Sequence, residues 1–330
     1  MVVIHSYGVA VFLAFITMLC WGSWANTQKL AQKHWPFQLF YWDYAIGVLL
    51  LALVLAFTAG SAGTEGRSFL ADLTQADGKS LISAFLGGVV FNIANILLVA
   101  AIAGMSVAFP IGIGLALALG VIVNYIRTPV GNPLILFIGV VFVVLAIILS
   151  AMAYRKLPSQ TASKTKGIMI SLAAGVLMGF WYYFVAASMA DNFISPAAGK
   201  LTPYTASVIM AIGLFVSNFL WNTIFMYKPI AGEKVTYRDY FKKGDTKLHL
   251  IGILGGVIWG LGTVVNIIAA EQAGYAISYG LGQGATLVSA LWGVFIWKEF
   301  KGAKGVNGLL TAMFLFFVVG LAMIIVARLY

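Results

Sequence analysis

The chain has 330 residues, of which 62% are hydrophobic and 9% charged, with a formal net charge of +10. A soluble globular chain is about 25% charged, so a water-soluble enzyme is excluded, and so is a disordered chain, whose hydrophobicity would be far lower. The excess of Lys and Arg fits basic cytoplasmic loops of a membrane protein, and no nucleic-acid partner is expected.

Apolar runs of twenty or more residues exclude a membrane β-barrel, whose strands alternate. In chain order the predicted spans are 7–28, 38–60, 81–103, 105–126, 133–153, 167–190, 202–226, 249–270, 274–297 and 305–327. The first run lacks a basic flank and a small-residue cleavage site, so no cleavable signal peptide is expected. The turns at 103–105 and 271–273 predict two tight antiparallel hairpins. The lone Cys20 permits no intramolecular disulfide, and His5, His34 and His249 have no zinc-ligand partner at helical spacing. No metal or cofactor is expected.

The two halves resemble each other. Gly87-Gly88-Val89 in span three returns as Gly255-Gly256-Val257 in span eight, and Gly112 and Gly114 return as Gly282 and Gly284. Trp21 falls at the level of Trp181. Each half holds five spans, an odd number, so the second half enters the membrane from the opposite side. The expected fold is an all-α polytopic membrane protein, with ten transmembrane helices as two five-helix inverted repeats, the layout of secondary transporters. Residues 1–153 form the first repeat, 154–166 a short cytoplasmic connection and 167–330 the second repeat.

The connections after the odd-numbered spans hold 15 of the 20 Lys and Arg residues. That side is expected to be cytoplasmic, which places both termini on the non-cytoplasmic side of the plasma (inner) membrane.

Trp24 in Gly22-Ser23-Trp24, Trp42-Asp43-Tyr44, Ser68-Phe69-Leu70 through Leu73-Thr74-Gln75, Gly87-Gly88-Val89-Val90, Asn95 and Gly104-Met105-Ser106-Val107 carry a family resemblance. With the ten-span layout they make the chain similar to the ureide permeases of the drug/metabolite transporter superfamily. It resembles the glucose/ribose and rhamnose porters more distantly. The resemblance implies a proton-linked importer of small neutral nitrogen-rich solutes such as allantoin or uracil. The plant members carry a large cytosolic loop with a phosphate-loop-like motif between spans five and six. Tyr154 to Lys166 has no such motif.

Asp43 is the only charged residue inside the spans as drawn. A carboxylate at mid-membrane costs about 2.5–3.5 kcal/mol on insertion scales. Burial favours its neutral form, which suits a group that takes up a proton on one side and releases it on the other. Pairing with Lys29 or Lys33, or exposure near a helix end, explains it equally. Lys29 reads as a snorkelling or counter-ion residue, and Glu271 and Glu299 as solvated helix-end charges.

Asn92 and Asn95 share a helix face, Asn266 lies on the matching helix of the second half, and Gln283 follows Tyr279 by one turn. Intramembrane amides bond either neighbouring helices or a ligand. Trp21, Trp24, Trp181, Tyr182 and Trp259 are placed to stack on a flat ring or a sugar face, or simply to pack helices. Asp43 is thus the candidate proton-coupling residue. Trp21, Trp24, Asn92, Asn95, Trp181, Tyr182, Trp259, Asn266, Tyr279 and Gln283 are the candidate substrate-binding residues.

No filter loop or ring of charge points to a channel, and no paired catalytic groups point to an enzyme. The expected function is proton-coupled uptake of a small neutral polar solute of the ureide or nucleobase type, with protons and the lipid bilayer as the other partners. A sugar or nucleoside symporter, or a broad metabolite or drug exporter, is the alternative.

Overall fold

The structure is a computed structural model that describes residues 1–31, 34–102, 108–157, 165–230 and 232–330. The described chain is helical. The first half holds α1 (Tyr7–Ser23), α2 (Ala25–Ala31), α3 (Phe37–Phe57), α4 (Phe69–Gln75), α5 (Gly78–Ile102), α6 (Ala108–Arg127) and α7 (Pro133–Tyr154). The second holds α8 (Thr165–Ser188), α9 (Pro203–Tyr227), α10 (Tyr237–Lys243), α11 (Thr246–Ala273), α12 (Tyr275–Gly282), α13 (Ala285–Leu291) and α14 (Asn307–Val326).

Caps set several of the starts. Asn132 accepts from Ile135 N ahead of Pro133 at the first turn of α7, and Asp245 accepts from Leu248 N at the start of α11. Such caps satisfy backbone donors that the helix itself leaves free. Thr236 and Asp239 form a reciprocal capping box on α10.

Nine helices among the described residues are long and apolar enough to cross a membrane. Ten spans are expected from the sequence. The tenth candidate is α6, whose searched apolar stretch, Gly112–Arg127, is shorter than a span. The predicted turn at 103–105 lies outside the described residues, as does the Gly104–Val107 motif. The second predicted hairpin is present. Its turn falls at Gly274 rather than 271–273, because α11 runs on to Ala273 and stops where Gly274 adopts a left-handed φ of 85°.

Two expected spans are not continuous helices. The first pauses at Trp24, between α1 and α2. The ninth stops at Gln283-Gly284 between α12 and α13, then loosens into a π-turn at Trp292–Ile296. Glycines at 280, 282 and 284 remove the side chains that would favour an uninterrupted helix.

The helices contact one another in matched sets. α5 lies against α8 and α9; α11 lies against α1 and α3. α6 packs on α8, and α12 and α13 pack on α1, while α3 meets α9 and α7 meets α14. Backbone contacts at glycine hold these pairs close. A Cβ on Gly256 would strike Tyr44 O and Val48 N of α3, and one on Gly88 would strike Met210 O and Leu214 N of α9. Small residues at helix crossings are what permit this approach within a membrane.

Candidate functional site

Where α1, α5, α8 and α11 converge, the four rings of Trp21, Phe91, Trp181 and Trp259 form an aromatic floor. Phe91 stacks on Trp259 at 4.2 Å between centroids, and Trp21 stacks on Trp259 at 6.2 Å. Trp181 stands edge-on to Trp21 at 6.1 Å and to Phe91 at 5.3 Å. Trp21 Nε1 donates to Thr263 Oγ1 at 3.1 Å, which fixes its ring plane.

Above this floor is a cavity of about 140 Å³. Its walls include Trp21, Trp24, Trp181 and Trp259, and its polar groups are Gln28, Asn95, Gln283, Thr286 and Ser289. Asn95 Nδ2 donates to Tyr41 OH at 3.2 Å, which leaves its carbonyl oxygen to accept. The cavity extends along Ala25 and Gln28 of α2 and Ser289 of α13. It therefore faces the end of the bundle that carries the basic connections.

Four of the predicted site residues stand behind this lining. Asn92 Nδ2 donates to Leu214 O at 3.1 Å and Ser217 Oγ at 2.8 Å, tying α5 to α9. Asn266 and Ser278 exchange bonds, Nδ2 to Ser278 O at 2.9 Å and Ser278 Oγ to Asn266 O at 2.8 Å. Tyr182 packs edge-on beneath Trp181 at 5.3 Å. Tyr279 OH donates toward Met178 O at 3.0 Å and Ala116 O at 3.3 Å. All four are fully buried.

Phe91 and Gln28 line the cavity without having been predicted. The recurring glycines carry the signal for Phe91: the 168-residue offset between the Gly-Gly motifs pairs its position with that of Trp259. The 170-residue offset of the later glycines likewise pairs the position of Gln283 with that of Ile113, another lining residue. Gln28 has no such signal, because it sits in the turn of helix after the pause at Trp24.

Asp43 lies outside the cavity, 1% exposed, between α3, α10 and α11. Trp35 Nε1 donates to Oδ2 at 2.9 Å, Tyr240 OH donates to Oδ1 at 2.6 Å, and His249 Nδ1 lies 2.8 Å from Oδ1. Burial, followed by the Asp43 carboxylate beside it, pushes the Tyr240 hydroxyl up, so Tyr240 remains a donor. Neither exposure nor a pair with Lys29 accounts for Asp43. It is not exposed, and Lys29 pairs with Glu299 at 2.6 Å instead, while Lys33 lies outside the described residues. Glu299 is therefore an ion-pair partner rather than a solvated helix-end charge. Glu271 Oε1 is likewise engaged, accepting from Phe193 N at 2.7 Å.

The other end of the bundle is clasped shut. Arg67 Nε donates to Asp72 Oδ1 at 2.8 Å, and its remaining nitrogens reach Pro196 O at 2.6 Å and Lys200 O at 2.5 Å. Asp72 Oδ2 accepts from Thr202 N at 2.7 Å and Thr202 Oγ1 at 3.0 Å. Gln75 bridges Lys200 O at 3.0 Å and Gly199 N at 2.7 Å. The segment 68–75, which carries part of the family resemblance, thus ties the first half to the loop before α9.

A multi-pass helical bundle with a solute-sized cavity facing one end is an architecture that suits a membrane transporter, and the family match makes the chain a permease rather than an enzyme. The chain belongs to the ureide permease family: the family model described as "Ureide permease" matches residues 40–166 and 153–327. It is 23% identical to "Ureide permease 2" of Arabidopsis thaliana over 395 aligned positions, covering 99% of this chain and 98% of that protein. It is 25% identical to "Ureide permease 4" of the same plant, covering 98% of each. The "Glucose uptake protein GlcU" of Bacillus subtilis (strain 168) is a partial relative, 27% identical over 60% of this chain and 61% of its own. A solved crystal structure shares the fold at a TM-score of 0.62 and 12% identity, covering 97% of this chain and 98% of its own.

Proposed function

We propose that this permease is a proton-coupled uptake carrier for a small, neutral, planar solute of the ureide or nucleobase type. The observation that carries the reading is the cavity of about 140 Å³, walled by indoles and edged by the amides of Gln28, Asn95 and Gln283. An apolar cavity of about 150 Å³ accepts a benzene-sized ring, so the space suits a single-ring solute. A side-chain amide presents a donor beside an acceptor and matches an adjacent C=O and N–H on a ligand. The direct contacts in this reading are Trp21, Trp24, Asn95, Trp181, Trp259 and Gln283, with Gln28 added. Asn92, Tyr182, Asn266 and Tyr279 support the wall from behind.

Asp43 serves as the proton-coupling group in this reading. Its support is a fully buried carboxylate at the α3–α11 interface, facing a histidine. The architecture we infer is ten spans in two five-helix inverted repeats, residues 1–153 and 167–330, with α6 as the fourth span. It is supported by the matched helix contacts and by the paired lining positions Phe91/Trp259 and Ile113/Gln283. The Lys and Arg distribution supports termini on the non-cytoplasmic side of the plasma (inner) membrane, and a cavity facing the cytoplasm.

A monosaccharide is the second reading. The similarity to a protein named for glucose uptake favours it, and indole faces also suit the apolar face of a sugar. A thermal-shift screen of purified protein against ureides, nucleobases, nucleosides and sugars, followed by counterflow in proteoliposomes, decides between them. Saturable exchange of uracil or allantoin supports the first reading; exchange restricted to sugars overturns it.

A further inference from the structure

A second cavity of about 140 Å³ adjoins the first, and Ala25 and Ser289 line both. It lies toward the open end of the bundle. Its apolar walls include the indoles of Trp292 and Trp297, and its polar groups include Asn26, Lys29, Tyr154 and Glu299. Lys29 Nζ sits 2.6 Å from Glu299 Oε1 and 4.3 Å from the Trp297 ring centroid. Tyr154 OH donates to Glu299 Oε2 at 2.8 Å, and Trp297 Nε1 donates to Asn26 Oδ1 at 2.6 Å.

The backbone that supplies Glu299 is held in an uncommon form. Residues Trp292–Ile296 make a π-turn, and such turns are frequent at functional sites. Lys298 has a φ of 53°, the one positive φ outside glycine among the described residues. A non-glycine residue held in this region costs on the order of 1–3 kcal/mol and persists where the surrounding structure enforces it. The double bend returns Glu299 N to Gly293 O at 3.0 Å. Gly293 leaves the space this requires, since a Cβ there would meet Tyr154 OH and Glu299 Oε2.

The Lys29–Glu299 pair by itself adds little stability. The side chains of Lys29 and Glu299 are 36% and 29% exposed, and pairs exposed to solvent contribute about 0–1 kcal/mol. What the strained turn does achieve is a donor and an acceptor side by side next to two indoles. That is the complement of a planar solute with a C=O beside an N–H.

We propose that this vestibule is a second binding site for the same solute, in series with the central cavity. The solute carbonyl accepts from Lys29 and its N–H donates to Glu299, replacing their contact with each other as the molecule passes between the cavity and the open end. The proposal rests on the reading of the central cavity as a solute site.

The test uses the full chain, with radiolabelled uracil and allantoin in equilibrium dialysis and in counterflow. The wild type should give a two-step isotherm. Glu299→Gln and Lys29→Met should each lose the weaker step, keep the stronger step within about twofold, and slow counterflow about tenfold or more, the loss of one charge-assisted bond. A purely structural role would instead lower the thermal midpoint and weaken both steps together, which overturns the proposal. A single-step isotherm with normal counterflow in the wild type overturns the vestibular site alone. No binding and no counterflow of these solutes in the wild type removes the central reading and this site with it.

Discussion

His249 Nδ1 lies 2.8 Å from Asp43 Oδ1 across a sequence separation of 206 residues. The contact joins Asp43, the seventh residue of α3, to the start of α11, so the first half's buried carboxylate is held by the second half. Gly252 makes room for it, since a Cβ there would strike the Asp43 side chain.

Asp43→Asn should abolish uphill uptake driven by a pH gradient while leaving exchange intact. The amide keeps one acceptor oxygen, for Tyr240 OH or for Trp35 Nε1 but not for both, and holds no titratable proton. Asp43→Ala should also destabilise the protein, because each buried donor left unpaired costs about 1–3 kcal/mol. Uptake into proteoliposomes with and without an imposed gradient measures the first effect. Uphill uptake by Asp43→Asn equal to wild type would remove the carboxylate from the mechanism.

Trp21→Ala and Trp181→Ala should weaken solute binding more than Leu19→Ala, which faces outward on α1 at 58% exposure. An aromatic pair contributes about 0.5–1.5 kcal/mol beyond its buried area. Titration of each purified variant is the check, and unchanged affinity in both tryptophan variants would return those rings to a packing role.

The amides should separate into two groups. Asn95→Ala, Gln28→Ala and Gln283→Ala should each weaken affinity by roughly five- to 150-fold, the range that corresponds to an unpaired polar group on the solute. Asn266→Ala should act mainly on the thermal midpoint, because its side chain holds α12 through Ser278 O. A larger affinity loss in Asn266→Ala than in Asn95→Ala would refute this division.

Gly88→Ala and Gly256→Ala should destabilise by similar amounts, about 1–3 kcal/mol or more, as expected of overpacking. Each added methyl meets backbone atoms of a helix from the other half. Thermal unfolding in detergent compares them. A variant pair in which only one site is sensitive would argue against equivalent roles in an inverted repeat.

Asp72→Ala should loosen the closed end. The substitution removes the acceptor for Arg67, Thr202 N and Thr202 Oγ1 at once. Ser188→Cys, at a fully buried position at that end of α8, should then react faster with a membrane-impermeant thiol reagent in a Cys20→Ala background. An unchanged labelling rate would mean that the clasp does not hold the two halves together.

The membrane class, the position of most spans and the recurrence of glycines between the halves follow from the amino-acid sequence alone. They depend on local quantities: the length of an apolar run, the period of a helix, and the absence of side chains where helices cross. The same local reading finds Trp21, Trp24, Asn95, Trp181, Trp259 and Gln283, because a wide aromatic or an amide in a span is conspicuous. It cannot divide Asn95 from Asn266, since both are amides on matching helices and only the direction of the side chain distinguishes them. It also misses the break at Gln283-Gly284, ahead of which Asn266 of α11 donates to the Ser278 carbonyl of α12. Trp35, Tyr240 and His249 come from a loop, a short helix outside the spans and a helix end, and nothing in their spacing announces that they enclose Asp43. Glu299 reads as a solvated charge until the π-turn and the left-handed Lys298 bend it onto Lys29. Hydrogen-bond partners are decided by distance, and distance between residues some 200 positions apart exists only once the helices have packed.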